Sequence, residues 1–454
     1  MVNSRYPAVT ALPLLLLLSC AAPKPPDDVE LATAWADMTL FITKNTPGNS
    51  PTYASRCLGY IGLTMYETVV PTAPDYQSLA GQLNGLGRAG APALPRPAND
   101  PPIHAALALN AGQARILKQL YNQTSDANKA RIDSLEQAMQ VRFTHIDEAR
   151  RTRSVAFGRA VADQLFAWSR TDGGHRGYLK NFDKQFKQPT HLGCWKPPLY
   201  AQSFSHYPLH PHWGHNRTFL TPNAQLAAPA FLRCDTSAAS AYFRQFRQVY
   251  DKERSLTMAE KECAIWWSDD PDETFTPPGH SYHLATLTIR QKRPSLIRCA
   301  ETYARVGMAV ADAFINCWKW KYQFFTERPN TFIPQHIDPQ WESFWPEPPF
   351  PAFPSGHAIQ AAAAATVLTD LYGERIALTD SAHVGRGRDR LRDVAFRSRR
   401  FSSFWQIARE TADSRFYGGI HTPQDNEAGL DRGRAIGTNI NALTWRRTVA
   451  RSTR

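Results

Sequence analysis

Beyond its first twenty residues the chain has no run approaching the ~18–20 apolar residues that a membrane-spanning helix needs, so no transmembrane segment is predicted there. A Lys-rich tail and CxxC pairs are also missing, which removes the usual signatures of nucleic-acid binding and of zinc sites. There is no repeat of fixed period, and alternating β-branched stretches are few. Charged residues make up only 20% against 43% apolar, which excludes wholesale disorder. What is present is length and an excess of one sign. The 454 residues suit one large helical unit or two packed domains. Lys plus Arg number 52 against 40 Asp plus Glu, a net +12 that favours anionic partners without telling phosphate from another oxyanion.

Residues 1–20 read as an export signal. Arg5 gives a weakly positive start, and Leu14 to Leu18 form an apolar stretch too short to cross a bilayer. Leu17-Leu18-Ser19-Cys20 resembles a bacterial lipobox, implying a lipidated Cys20 at a new N-terminus; ordinary cleavage near Ala21-Ala22 is the alternative. Residues 21–28, with Pro23, Pro25 and Pro26, form a stiff polar tether. The expected location is exported, periplasmic or at the cell envelope, touching the membrane only through the lipid anchor. Six further cysteines (Cys57, Cys194, Cys234, Cys263, Cys299 and Cys317) would then sit where disulfides persist. Up to three bridges are possible, and one or two bridges plus buried thiols fit equally. None has the setting of a nucleophile or metal ligand.

Apolar residues at three- and four-residue spacing predict helices over 29–45, 51–70, 102–122, 126–170, 236–254, 256–268, 295–323, 357–372, 402–417 and 421–447. Residues 71–101 are Pro-rich. Residues 171–235, rich in Gly, His, Pro and aromatics, are irregular and of the kind that covers or lines a pocket. The expected fold class is all-α, with an N-terminal helical half and a C-terminal half of helical-bundle type.

Candidate chemistry concentrates between residues 318 and 425. Val306, Val310, Phe314 and Cys317 step along one helix face, and Lys321 continues it. A Lys there is costly unless an anion meets it or it snorkels at the helix end. Arg328 follows at the helix exit, before Pro329, with the donor fork that suits tetrahedral oxyanions. Prolines from Pro346 to Pro354 exclude helix before Ser355-Gly356-His357, which therefore opens an Ala-rich helix. That places Ser355 as a cap and gives an anion access to free N–H groups beside Gly356. Phe404, Ala408 and Thr411 or Ala412 form a stripe that Arg415 extends inward, and Gly418-Gly419 ends that helix. His421 and Asp425, four apart at the next helix start, share a face, and a carboxylate behind an imidazole fixes its tautomer. Together these residues make a preorganised cage for one oxyanion.

The three blocks Lys321-x6-Arg328-Pro329, Pro354-Ser355-Gly356-His357 and Ser414-Arg415-x5-His421-x3-Asp425 resemble the signature shared by bacterial acid phosphatases, phosphatidic acid phosphatases and vanadium-dependent haloperoxidases. The resemblance covers about residues 256–446, taken as the catalytic domain, and leaves 29–255 as an N-terminal helical region without a recognised motif. Several flanking features look like the haloperoxidase branch, especially the fungal chloroperoxidase type: Trp318 three before the Lys, Ala311-Asp312-Ala313 upstream, and Pro348-Pro349-Phe350-Pro351-Ala352-Phe353 before the Ser-Gly-His block. Trp266-Trp267-Ser268-Asp269-Asp270 followed by Thr276-Pro277-Pro278 is also similar, with Asp270 in the place of a carboxylate that pairs with a cage Arg. A basic stretch from Arg386 to Arg400 has no counterpart there and reads as a solvated loop or helix.

The haloperoxidase resemblance implies vanadate as cofactor and hydrogen peroxide, a halide and a small organic acceptor as partners. It implies that His421 binds the metal, that Lys321, Arg328, Arg415, Ser355 and the Gly356 backbone hold its oxygens, and that His357 is the acid–base group. Lys321 would polarise the bound oxidant, Asp425 would stand behind His421, and Trp318 and Phe350 would shape the halide side. The alternative within the superfamily is an acid phosphatase without vanadate, in which His421 is the nucleophile and His357 protonates the leaving alcohol.

Overall fold

The computed structural model describes residues 24–87, 93–97, 102–197 and 205–447; the export signal, Cys20 and the start of the tether lie outside the described residues. Its helices are α1 (Asp28–Lys44), α2 (Pro51–Val69), α3 (Ala105–Leu120), α4 (Asp126–Gln140), α5 (Glu148–Ser169), the short α6 (Thr221–Gln225), α7 (Ala241–Glu253), α8 (Met258–Trp266), α9 (Thr276–Lys292), α10 (Leu296–Phe324), α11 (Pro329–His336), α12 (Gly356–Tyr372), α13 (Phe404–Tyr417) and α14 (Pro423–Asn441). The all-α expectation holds apart from one antiparallel pair, β1 (Leu378–Asp380) and β2 (Arg399–Phe401), in which Leu378 faces Phe401. Among the described residues no helix is long and apolar enough to cross a membrane.

Helix starts follow local chemistry. Asp27, Ser50, Ser125, Asp147 and Ser240 each accept a first-turn backbone N–H through the side chain, and Thr257 with Glu260 closes a capping box on α8. Asp147 also explains why the stretch expected as one helix over 126–170 is two. The chain leaves α4 at Val141, buries Phe143 and Ile146 against Leu107, and restarts at the Asp147 cap.

Three helices were not foreseen: the short α6, within the stretch expected to be irregular, α9 and α11. α9 begins with Pro277-Pro278 in its first turn and is buried along most of its length, so it shows no amphipathic period, and its prolines read as loop although the first turn tolerates them. α11 likewise starts at Pro329.

The longest helix, α10, is buried on nearly every side. It packs most extensively on α2, and α12 on α14. Both approaches depend on missing side chains: a Cβ on Gly307 of α10 would lie 2.4 Å from the Leu58 carbonyl oxygen of α2, and one on Gly433 of α14 would lie 2.2 Å from that of Ile359 in α12. The expected boundary near residue 255 therefore divides a shared core. One apolar cluster runs from Val29 to Trp445, and Tyr66 donates its hydroxyl to the Trp445 carbonyl, 3.1 Å. The six cysteines are all free thiols, five of them buried, so the expected bridges are absent. The basic stretch is a loop closed by the β1–β2 pair, but it is partly neutralised: Arg386 meets Glu273, Arg392 meets Asp389 and Arg399 meets Glu410.

Candidate active site

The stripe Val306, Val310, Phe314, Cys317, Lys321 is fully buried, so α10 delivers an ammonium into the interior one turn before its end. The left-handed Phe325 closes the helix there, donating its N–H to the Lys321 carbonyl. Lys321 Nζ donates to the Pro351 carbonyl at 2.8 Å and to that of Ala352 at 2.5 Å. Arg328, the residue before α11, donates from Nε to the Phe350 carbonyl (2.9 Å) and from one terminal nitrogen to that of Ile420 (2.8 Å). Both cations thus hydrogen-bond to neutral backbone oxygens, and their charge is only partly answered, by Asp425 and, at Arg328, by Glu347 as well. Burial accordingly brings Lys321 down to about 7 and Arg328 down to about 10. Arg415, reached through the buried stripe of α13, is also brought by burial to about 10; Asp270 opposes that shift, and the Arg415 Nε is buried without a hydrogen-bond partner.

Ser355 is the N-cap of α12, and its hydroxyl oxygen accepts from the Ala358 N–H. The first-turn N–H groups of Gly356 and His357 have no acceptor inside the helix and suit an anion. The third block is tied directly to this turn, because the Asp425 carbonyl accepts the Ser355 N–H at 2.9 Å. His421 does not begin α14, as expected, but precedes its cap, Thr422; Asp425 lies in the first turn. The pair still forms: His421 Nδ1 is 3.0 Å from Asp425 Oδ2, which also accepts the Thr422 N–H at 2.9 Å. A carboxylate only accepts, so Nδ1 carries the proton and Nε2 keeps its lone pair. Nε2 lies 3.4 Å from Arg328. Burial, then Arg328, Lys321 and Arg415, hold His421 well below the usual imidazole range, so it is neutral. Burial raises Asp425 to about 6 against the Thr422 N–H and Lys321.

His357 Nε2 is 3.4 Å from the Ser268 carbonyl, and burial followed by Arg415 keeps it neutral too. The residues predicted from three separate blocks therefore converge on one buried site. Trp318 and Phe350 join it, with ring centroids 4.9 Å apart; Lys321 Nζ lies 5.2 Å from the Phe350 ring and 5.8 Å from Trp318. Asp270 is the main counter-charge beside Arg415, and burial pushes it up to about 6. A cavity of about 420 Å³ has His357, Arg415, Asp270 and Phe350 in its wall together with Phe182 and Leu209, so the irregular stretch 171–235 lines the site as expected.

Two neighbours escaped sequence reasoning. Glu347 is fully buried near Arg328, and burial pushes it up to about 8; it stood hidden in a proline-rich turn. A second cluster, Asp269, His280, His383 and Asp380, lies behind the Ser268–Asp270 segment. The spacing of His280 and His283 in α9 could have pointed to it, had that helix been foreseen.

The residues fit an oxyanion. Three buried cations, an unpartnered guanidinium nitrogen, a helix N-terminus and an imidazole lone pair face the same place. Residues 301–448 match the family model of the VCPO second helical-bundle domain. The chain is similar to vanadium chloroperoxidase of Curvularia inaequalis, 25% identical over 224 residues, which are 37% of this chain and 36% of that protein. The match thus spans about a third of the length of that relative. The fold is similar to the crystal structure of the first bacterial vanadium-dependent iodoperoxidase, with TM-score 0.78 and 29% identity over 94% of this chain and 99% of that one. It is also similar to an apo-type bacterial vanadium-dependent chloroperoxidase, with TM-score 0.67 and 14% identity over 88% and 94% of the two chains. At that identity the last likeness speaks for the fold alone.

Proposed function

The chain belongs to the vanadium-dependent haloperoxidase family, and from that premise we propose that it is a vanadate-dependent enzyme oxidising a halide with hydrogen peroxide to hypohalous acid, which a small organic acceptor can consume. The observation that carries the reading is the neutral His421, whose Nε2 lone pair faces Lys321, Arg328 and Arg415 with a buried carboxylate behind it.

When bound, vanadate supplies a Lewis-acid centre that activates hydrogen peroxide without changing oxidation state. Lys321, Arg328, Arg415, Ser355 and the Gly356 N–H would hold its oxygens, and His421 Nε2 would bind the metal. Asp425 fixes the His421 tautomer and strengthens its basicity. His357 is neutral; with Nε2 directed at the Ser268 carbonyl, its Nδ1 is the atom that takes a proton and returns it. Lys321 brings a positive charge beside the Trp318–Phe350 wall, where a halide would approach.

The test is reconstitution of the purified protein with vanadate, followed by peroxide-dependent oxidation of iodide, bromide and chloride. Halide oxidation should appear only with vanadate and be suppressed by phosphate. Vanadate-independent hydrolysis of a phosphate monoester with no peroxidase activity would replace this reading by the phosphatase one. The same proposal places the protein at the cell envelope through a lipidated Cys20, which the mass of the mature N-terminus checks; an unlipidated terminus beginning after Cys20 refutes the anchor.

A further inference from the structure

One wall of the site is the segment Trp267–Asp270, and it touches both His357 and Arg415. The Trp267 carbonyl accepts from Arg415 (3.2 Å), the Ser268 carbonyl faces His357 Nε2 (3.4 Å), and the Asp270 carboxyl is the chief counter-charge to Arg415. Between them Asp269 is left-handed, φ 48°, a conformation disfavoured for a residue with a side chain. It turns the Asp269 carboxylate away from the site into a fully buried polar cluster. One oxygen lies 2.8 Å from His280 Nδ1, the other 3.0 Å from His383 Nε2. His280 is held at its second nitrogen as well, 2.8 Å from Asp380 Oδ2, and the Trp266 indole donates to that same oxygen at 3.0 Å. The cluster joins α9, the end of α8, β1 and the loop after it at one point. Although burial opposes a charge on His280, Asp269 and Asp380 raise it to about 10, so two carboxylates clasp an imidazolium.

We propose that the Asp380–His280–Asp269–His383 network is a positioning device for catalysis, pinning the strained Asp269 so that the Ser268 carbonyl orients His357 while the Trp267 carbonyl and Asp270 set Arg415. None of the four network residues touches the reacting atoms; they act through the segment. The inference rests on the reading of His357 as the acid–base group, which both the haloperoxidase and the phosphatase readings share. A displacement of about 1 Å in such a group costs roughly 10²-fold in rate.

The experiment is a double-mutant cycle on the full chain loaded with vanadate, with turnover read as halide oxidation. His280→Gln should lower kcat about 10- to 100-fold while KM for peroxide changes less than about 3-fold. In a His357→Ala background the same substitution should lower kcat at least about 3-fold less than it does in the unsubstituted background, because only its effect through Arg415 remains. Equal losses in both backgrounds, with helical circular dichroism retained, would make the network merely structural and overturn the proposal; so would unchanged kcat in His280→Gln. If that variant does not fold, His383→Gln, which removes one of the two contacts to Asp269, replaces it under the same criteria. If the unsubstituted protein hydrolyses phosphate esters and oxidises no halide, the haloperoxidase reading fails. The cycle is then read on ester hydrolysis, where the same coupling supports the network and its absence refutes it.

Discussion

Two buried charged clusters meet at the segment 267–270, and they are built on opposite principles. In the network behind the segment every charge has its partner: both His280 nitrogens face carboxylates, and Asp269 is held by two imidazoles. In the cage before it, Lys321 and Arg328 meet backbone carbonyls, and an Arg415 nitrogen has no partner. A closed network stabilises a shape, whereas an open one forgoes stability for the sake of a missing guest. The difference marks which cluster is suited to receive an anion and which one is closed on itself.

The comparison breaks most readily at His421. His421→Ala should weaken vanadate binding by at least about 10²-fold in calorimetry, since both the lone pair and the carboxylate behind it are lost. His357→Ala should leave binding within a few-fold while lowering turnover by about 10²-fold or more; equal loss of binding in both would contradict the roles assigned. Substitutions in the two clusters should then move stability in opposite directions. Asp380→Asn, which breaks a closed buried pair, should destabilise the protein by about 3–5 kcal/mol in urea unfolding. Lys321→Met removes a buried charge that is only partly answered and should stabilise the vanadate-free protein by about 1–4 kcal/mol while weakening vanadate binding. A loss of stability there would mean that the cage is closed after all.

Their pH dependences sharpen the contrast. Lys321 is lowered in the folded state, so unfolding takes up a proton between about pH 7 and its ordinary value of 10.5. Its cost is fully present below about 7 and vanishes as pH rises towards 10.5. The advantage of Lys321→Met should follow that window. His280 is raised, so its contribution is complete below its ordinary 6.5 and is lost as pH rises through about 10. Asp380 is lowered to about 2 by His280 despite its burial, so its contribution holds above its ordinary 3.8 and disappears as pH falls through about 2. The deficit of Asp380→Asn should therefore be greatest between about pH 4 and 6.5. Filling the cage acts by mass action: vanadate at a hundred times its Kd should add about 2.7 kcal/mol to stability, and phosphate should compete with it.

The cage was legible because each of its members sits at a local landmark. Lys321 ends a buried stripe, Ser355 follows a proline run at a helix start, and Arg415 extends the stripe of α13. The helices that carry these residues are amphipathic or capped, so periodicity and helix-end signals marked the candidates, and the three-block resemblance joined them into one site. Asp269, His280, His383 and Asp380 had no such landmark: they come from four different elements, and α9 hides its helical nature behind Pro277-Pro278 and burial on most sides. Glu347 looked like one polar residue among prolines, and only its burial near Arg328 marks it out.

Local sequence thus determined most helix starts, most helices of the cage and the identity of its cations and histidines, because capping, periodicity and side-chain chemistry act over a few residues. Tertiary structure decided what is added over long range. It joined the two halves through the α2–α10 contact, left six thiols unpaired, and directed the wall segment inward and Asp269 outward. Which charges are answered and which stand open depends on neighbours up to 148 residues apart in the chain, and no local pattern encodes that balance.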